Sequence, residues 1–151
     1  MPEVNKILVA ICFSEYCGGT FAYAARLAHQ LQAELIVVNV IDTKAVRAIS
    51  KIESMGYNIS AGDYVEGVKE ERKAELKKMI AESGLRKEEV KLYFKVGHPF
   101  EKLIKVVKDE GVDLVVMGSK GQSDHPRLLT GSVAEKMFRH SPVSVVFYKK
   151  K

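Results

Sequence analysis

Three glycines and a serine near the carboxyl-terminal end of the chain have the spacing of a phosphate-binding site. Gly118 and Gly121 follow an apolar run, DLVVM (113–117), and Gly131-Ser132 come ten residues after the second glycine. Glycine lets backbone N–H groups turn towards a ligand without obstruction by a Cβ atom, and consecutive amides of this kind form a concavity that binds anions. The stretch predicts either two anion-binding elements that flank one loop or a pair of turns that need glycine for their geometry alone.

Other patterns in the sequence offer little for catalysis. The chain has no Gly-x4-Gly-Lys-Ser/Thr loop, no Gly-x-Gly-x-x-Gly fingerprint, and no His-Glu-x-x-His or Cys-x-x-Cys metal spacing. Ser123, Asp124 and His125 include the residue types of a hydrolase triad, but three neighbours in one loop cannot form the spatial relay that a triad needs. These observations favour a binding protein over an enzyme.

The elements that must position the glycines alternate along the chain. Four short apolar runs predict strands at 7–13, 34–41, 113–117 and 143–148, and one run of alternating polarity predicts a fifth strand at 90–96. The alternating run is typical of a half-exposed strand at a sheet edge. Because helical patterns separate the runs, the sequence predicts a single-domain α/β fold, a doubly wound five-stranded parallel sheet. Ligands of such sheets collect beyond the carboxyl ends of the strands, where Gly118 and Gly121 follow their strand.

One connection is longer than the others. The segment Asp42–Asp63 joins the second strand to a charged helix, and Val46, Ile49, Ile52 and Met55 recur within it at helical spacing. We interpret it as a packing helix or, alternatively, as a flap over a site.

The composition of the 151-residue chain is that of one globular domain, which we expect to span residues 1–151. Hydrophobic residues make up 46% and charged residues 28% of it, and no apolar run approaches the roughly 20 residues of a membrane span. The net charge of +5 comes from basic and acidic residues that are mostly interleaved, as in KEERKAELKK (69–78). We therefore expect no membrane and no nucleic acid as partners.

Two features predict a cytoplasmic protein. The amino-terminal sequence, MPEVNKILVAICF, lacks the basic region, long apolar segment and small-residue cleavage site of a secretory signal. Cys12 and Cys17 are too few for a disulfide framework and fit a reducing compartment.

Taken together, the motif and its setting resemble the universal stress protein family, in particular its nucleotide-binding branch. Gly118-x2-Gly121-x9-Gly131-Ser132 reproduces the family's Gly-x2-Gly-x9-Gly-Ser/Thr signature residue for residue. The likeness extends over nearly the whole chain, through ILVAICFSE, VVNVID, VGHP and GSVAEKMFRHSPVSVV. The resemblance implies a Rossmann-like fold with strand order 3-2-1-4-5, in which the carboxyl ends of the first and fourth strands border one crevice.

Members with this signature bind ATP, so the resemblance implies ATP as the cofactor, with any Mg²⁺ or Mn²⁺ held mainly by the phosphates. Backbone amides around the glycines would wrap the ribose and phosphates, and the main chain of Val40 would meet the adenine edge. The residues that the resemblance places at the nucleotide are Ala10, Cys12, Val40, Met117, Gly118, Gly121, Gly131, Ser132 and Val133.

One position departs from the family pattern. The family commonly has aspartate at the end of the first strand, where this chain has Cys12. A thiol is a poor substitute for a carboxylate as an acceptor of a hydrogen bond from the nucleotide. We interpret Cys12 as a small buried hydrophobe, as a thiol made reactive by nearby amide dipoles, or as one end of a bridge to Cys17.

The resemblance favours an ATP-binding protein of stress response or signalling. The nucleotide would order the segment Asp42–Asp63 or the loop Ser123–Arg127 and so change a surface that an unidentified protein partner recognises. Two alternatives stay open: a slow ATP-hydrolysing enzyme, with Asp124 or His125 to position water, and a dimeric interaction protein that has lost nucleotide binding.

The last predicted strand indicates self-association. VSVVFY is apolar on both faces and would lie at a sheet edge, where an unprotected strand invites pairing. We expect a homodimer through Val143–Tyr148, which the family resemblance also implies.

Overall fold

Residues 3–13, 19–119 and 131–150 are described by a computed structural model. They form the strands β1 (Lys6–Ala10), β2 (Glu34–Asp42), β3 (Val90–Gly97), β4 (Leu114–Gly118) and β5 (Ser144–Tyr148). They also form the helices α1 (Thr20–Leu31), α2 (Thr43–Ser54), α3 (Ala61–Ser83), α4 (Pro99–Glu110) and α5 (Ser132–His140). A 3₁₀ turn, Lys87–Glu89, precedes β3.

The five strands make one parallel sheet in the order β3-β2-β1-β4-β5. The predicted doubly wound, Rossmann-like fold with strand order 3-2-1-4-5 is therefore confirmed. In the register, Ala10 of β1 pairs with Val38 of β2 on one side and with Met117 of β4 on the other. β1 and β4 thus end close to one level, whereas β2 continues past Val38 to Asp42.

Two hydrophobic cores lie on opposite faces of the sheet, because successive side chains of a strand point to opposite faces. Ile7 and Val9 of β1 pack with apolar side chains of α1 and α3. Leu8, between them, packs with side chains of α4 and α5 on the other face. Since α1 follows β1 and α5 follows β4, these two neighbouring strands send their helices to opposite faces, which opens a crevice beyond their carboxyl ends.

The long connection after the second strand contains a complete helix. α2 begins directly after β2, and the carboxylate of Asp42 accepts a hydrogen bond from the amide of Lys44 at 2.9 Å. None of the residues of α2 is fully buried, and the helix packs mainly against α3. The interpretation as a packing helix describes this arrangement, and the first turn of α2 also lies at the carboxyl edge of the sheet.

Element ends differ slightly from the predicted ones. β1 stops at Ala10 rather than Phe13, whose φ of 53° lies in the left-handed region and cannot continue a strand. α4 begins with Pro99 and ends before Gly111, which has φ 65° and caps the helix. β3 lies at an edge of the sheet, as predicted.

Within the described ranges, none of the helices combines the length and the apolar character that a membrane span requires.

Candidate functional site

A crevice of about 760 Å³ opens at the carboxyl edge of the sheet, beyond β1 and β4. Its floor consists largely of apolar strand residues, among them Ala10, Val38, Val40 and Met117. α2 and α3 supply one wall, and α4 and α5 supply the other. The volume lies within the range of about 300–1,000 Å³ that is usual for small-molecule sites.

Most of the residues that the family resemblance assigned to a nucleotide lie along this one crevice. Those that line it are Ala10, Cys12, Val40, Met117, Gly118, Ser132 and Val133. Gly131 is the buried residue that precedes α5, and its amide donates a hydrogen bond to the carbonyl of Ser119. Gly121 lies outside the described residues, as does the loop Ser123–Arg127 with its Asp124 and His125.

Three backbone amides at the amino terminus of α5 have no hydrogen-bond partner within the helix. The first hydrogen bond within the helix runs from the amide of Glu135 to the carbonyl of Gly131. The amides of Ser132, Val133 and Ala134 therefore have no partner inside the helix, and all three residues line the crevice. The residue before the helix has no side chain that could cap them. These donors and the helix dipole favour an anion at this point.

The conformation of Gly131 bears on the alternative that glycine serves turn geometry alone. Its φ of −74° and ψ of 159° are open to any residue. Turn geometry therefore does not require glycine here. Glycine instead leaves the space of a side chain empty at a buried position beside the crevice.

Arg72 of α3 lies in one wall and is held by a buried asparagine. Asn39, which is 1% exposed, is a polar residue within an otherwise mostly apolar β2. Its side-chain Nδ2 donates to the carbonyl of Ile11 at 2.6 Å, and its Oδ1 accepts from Arg72 Nη1 at 2.7 Å. The guanidinium also lies 5.4 Å from the centroid of the Phe13 ring. This network fixes a positive charge beside the end of β1.

The partial burial of Arg72 affects the pKa of its guanidinium. Partial desolvation lowers the pKa of Arg72, and nearby acidic side chains of α3 oppose the shift. An arginine so placed stays cationic at neutral pH, because its ordinary pKa is far above 7.

The opposite wall carries a second positive group. Lys136 of α5 places its Nζ 3.5 Å from His98 Nε2. The ammonium can only donate, so the imidazole accepts this hydrogen bond in the tautomer that leaves Nε2 without a proton. Both residues line the crevice, as do Lys44 and Arg72 on the other side. Among the described lining residues, Asp42 is the only acid, and its carboxylate caps α2. The crevice is therefore lined by an excess of positive charge.

Cys12 lines the crevice and is disulfide-bonded. The two interpretations of Cys12 as a free thiol, buried or reactive, therefore do not describe its state. Cys17, the other cysteine of the sequence, lies outside the described residues.

Sequence reasoning missed the residues that the helices bring to the crevice: Asp42, Lys44, Tyr64, Arg72, His98 and Lys136. Two signals were available. Asp42-Thr43, directly after an apolar run, is typical of a helix that begins where a strand ends. Asn39 is the one polar residue between apolar neighbours in 35–41, and a buried amide of this kind requires a hydrogen-bond partner. Among the described residues, no three potential ligands cluster as a metal site would require.

The comparison with known sequences gives one consistent result. The model of the universal stress protein family matches residues 3–149. The chain is 28% identical to the universal stress protein MJ0577 of Methanocaldococcus jannaschii, over 97% of this chain and 96% of that protein. It is 30% identical to the universal stress protein YxiE of Bacillus subtilis, over 94% of this chain and 98% of that protein.

Solved structures show the same likeness. The structure of the protein MJ0577 aligns with a TM-score of 0.75 and 29% identity over 99% of both chains. A universal stress protein crystallised in complex with cAMP aligns with a TM-score of 0.63 over 99% of this chain and 100% of that one. Its identity is 19%, so this second likeness concerns the fold alone.

Proposed function

Because the chain belongs to the universal stress protein family, we propose that its crevice binds ATP. The observation that carries this proposal is the start of α5, where the amides of Ser132, Val133 and Ala134 line the crevice without partners in the helix. A polyphosphate there accepts hydrogen bonds from these amides and gains from the helix dipole. The excess of positive side chains on the walls provides further counter-charge.

The apolar floor suits the base of the nucleotide. Ala10, Val40 and Met117 offer a surface on which a planar purine is desolvated, and the main chain of Val40 is the group that would meet the adenine edge. The ribose then lies near Cys12. A divalent cation would be held mainly by the phosphates, with the protein orienting those phosphates through backbone amides.

The molecule is proposed to act as a binding protein in stress response or signalling. α2 connects the site to the surface, because Lys44 and Ala45 in its first turn line the crevice while Ile52 near its end is 40% exposed. Met55, directly after the helix, is 64% exposed. Nucleotide bound against the first turn would change the position of this apolar end, which is a surface that a protein partner recognises.

We also propose a homodimer through Val143–Tyr148. β5 is an edge strand of half-buried apolar residues, and Phe138 on the neighbouring α5 is 78% exposed. Pairing of two such edges satisfies backbone groups that β4 leaves unpaired and covers apolar surface. Light scattering at micromolar concentration should give twice the monomer mass, and a monomer would refute this interface.

The experiment for ATP binding has two steps. Mass spectrometry of the denatured, purified protein identifies any nucleotide that copurifies, and calorimetric titration then compares ATP with cAMP. Gly131→Val should abolish ATP binding while the protein stays folded, since valine readily adopts the observed backbone angles but places a branched side chain beside the amides. Ser132→Ala, which keeps every amide, is the control and should lose much less affinity.

Two results would decide against the proposal. Unchanged ATP affinity in folded Gly131→Val would mean that the phosphates do not lie at α5. Steady release of phosphate from ATP at many turnovers per minute would favour the ATP-hydrolysing enzyme over the binding protein.

A further inference from the structure

His98 and Lys136 form a pair whose presence the fold does not explain. The Lys136 ammonium lies 3.5 Å from the imidazole Nε2 of His98. Within the described part of the chain, no carboxylate forms an ion pair with Lys136, and its neighbour Glu135 pairs instead with Arg139 at 3.1 Å. The His98 side chain makes no capping bond to α4, although the residue immediately precedes that helix. The ammonium keeps further N–H donors beside the one that faces His98, and a protonated imidazole would donate as well, so the pair can serve as a set of donors for an anion.

The position of the pair relates it to the start of α5. Ser132 and Lys136 are four residues apart on this helix, so they lie on the same face one turn from each other, and both line the crevice. α4 packs beside α5, which brings His98 to the same wall. A phosphate chain that begins at the amides of α5 therefore reaches Lys136 and His98 after about one helical turn, roughly 5.4 Å.

We propose that His98 and Lys136 bind the outermost phosphate of the nucleotide and thereby make the crevice select nucleoside polyphosphates over monophosphates. The proposal deepens the assignment of ATP binding and rests on it. The ammonium supplies up to three donors, and the imidazole supplies one from Nε2 in the matching tautomer or when protonated. A monophosphate on the α5 amides is too short to engage the pair, so it gains nothing from these two side chains.

The other positive groups of the crevice are less suited to this role. Arg72 lies on the opposite wall, where its guanidinium donates to Asn39 beside the end of β1. Lys44 belongs to the same far wall, at the start of α2. Binding of the terminal phosphate is therefore assigned to His98 and Lys136 on the wall formed by α4 and α5.

The test is calorimetric titration of the full chain with ATP, ADP and AMP at one salt concentration. Lys136→Gln should weaken ATP binding about tenfold, equivalent to about 1.4 kcal/mol, and change AMP binding by less than about twofold. His98→Gln should shift the same ratio in the same direction. Lys105→Gln is the matched control, because Lys105 is an exposed lysine of α4 that pairs with Asp109 at 2.7 Å outside the crevice.

Each outcome decides between the two proposals. Equal losses for ATP and AMP in Lys136→Gln would overturn the inference, since they would indicate a general effect of charge, and so would unchanged affinity for both. Absence of nucleotide binding in the wild type would overturn ATP binding itself. In that case titration with inorganic tripolyphosphate tests the pair directly: loss of binding in Lys136→Gln keeps it as a polyphosphate site, and no difference removes it.

Discussion

Replacement of Asn39 should show how strongly the crevice wall depends on one buried amide. Asn39→Leu keeps a side chain of similar size but removes the donor to the Ile11 carbonyl and the acceptor for Arg72. A buried carbonyl left without a partner costs about 1–3 kcal/mol, and a hydrogen bond to a charged group contributes about 1.5–3 kcal/mol. The added apolar burial offsets about 1–2 kcal/mol of this. We expect a net loss of about 3 kcal/mol in the free energy of unfolding, or roughly 6–12 °C in Tm.

The contribution of the contact itself requires a double-mutant cycle, because Arg72 has further interactions besides the one with Asn39. The free energy of unfolding in urea is measured for the wild type, Asn39→Leu, Arg72→Met and the double variant. The coupling energy should be about 1.5–3 kcal/mol, as expected for a charge-assisted hydrogen bond at 2.7 Å. Additive effects, within about 0.5 kcal/mol, would show that the two side chains do not stabilise each other and would refute the described network.

Three further predictions concern other parts of the molecule. Cys12→Asp should raise ATP affinity about tenfold over Cys12→Ser by titration, since both remove the disulfide but only aspartate offers a charged acceptor to the ribose. Gly19→Ala should lower the Tm more than Gly56→Ala. Both glycines have left-handed φ angles, 83° and 92°, but only at Gly19 would the new Cβ lie 2.5 Å from the hydroxyl of Tyr148 in β5. Tyr93→Phe should reduce the free energy of unfolding in urea at neutral pH, because the Tyr93 hydroxyl donates to the Glu110 carboxylate and lowers its pKa from 4.5. The difference between the variant and the wild type should disappear as the pH falls below 4.5 and the carboxylate is protonated.

The fold was predictable because its signals are local. Alternating residues in 90–96 placed an edge strand, and the short apolar runs placed the four other strands. The glycine spacing likewise led to the start of α5, since a helix that follows a strand must begin at the carboxyl edge of a parallel sheet.

The walls of the crevice were less predictable because they depend on contacts between distant residues. Asn39 and Arg72 are 33 residues apart, and His98 and Lys136 are 38 apart. Hydrophobic periodicity reports which face of a helix is buried, but not which polar side chains two helices bring together at their ends. The bonded state of Cys12 was also undecided, because spacing in the sequence does not determine whether two sulfur atoms meet.

The central position of β1 has a consequence for how the protein is made. The ribosome produces this strand first, yet one of its two neighbours is β4, which follows only after β2, β3 and their helices. Until β4 emerges, the backbone N–H and C=O groups along one edge of β1 have no strand partner, so this apolar strand can pair wrongly and the nascent chain can aggregate. The crevice forms only when β4 and α5 dock against β1, so a ligand recognises the completed sheet and none of its precursors. If the crevice binds a nucleotide as proposed, a concentration of one hundred times its Kd would stabilise the finished protein by about 2.7 kcal/mol, and the supply of nucleotide would influence how much of the newly made chain survives.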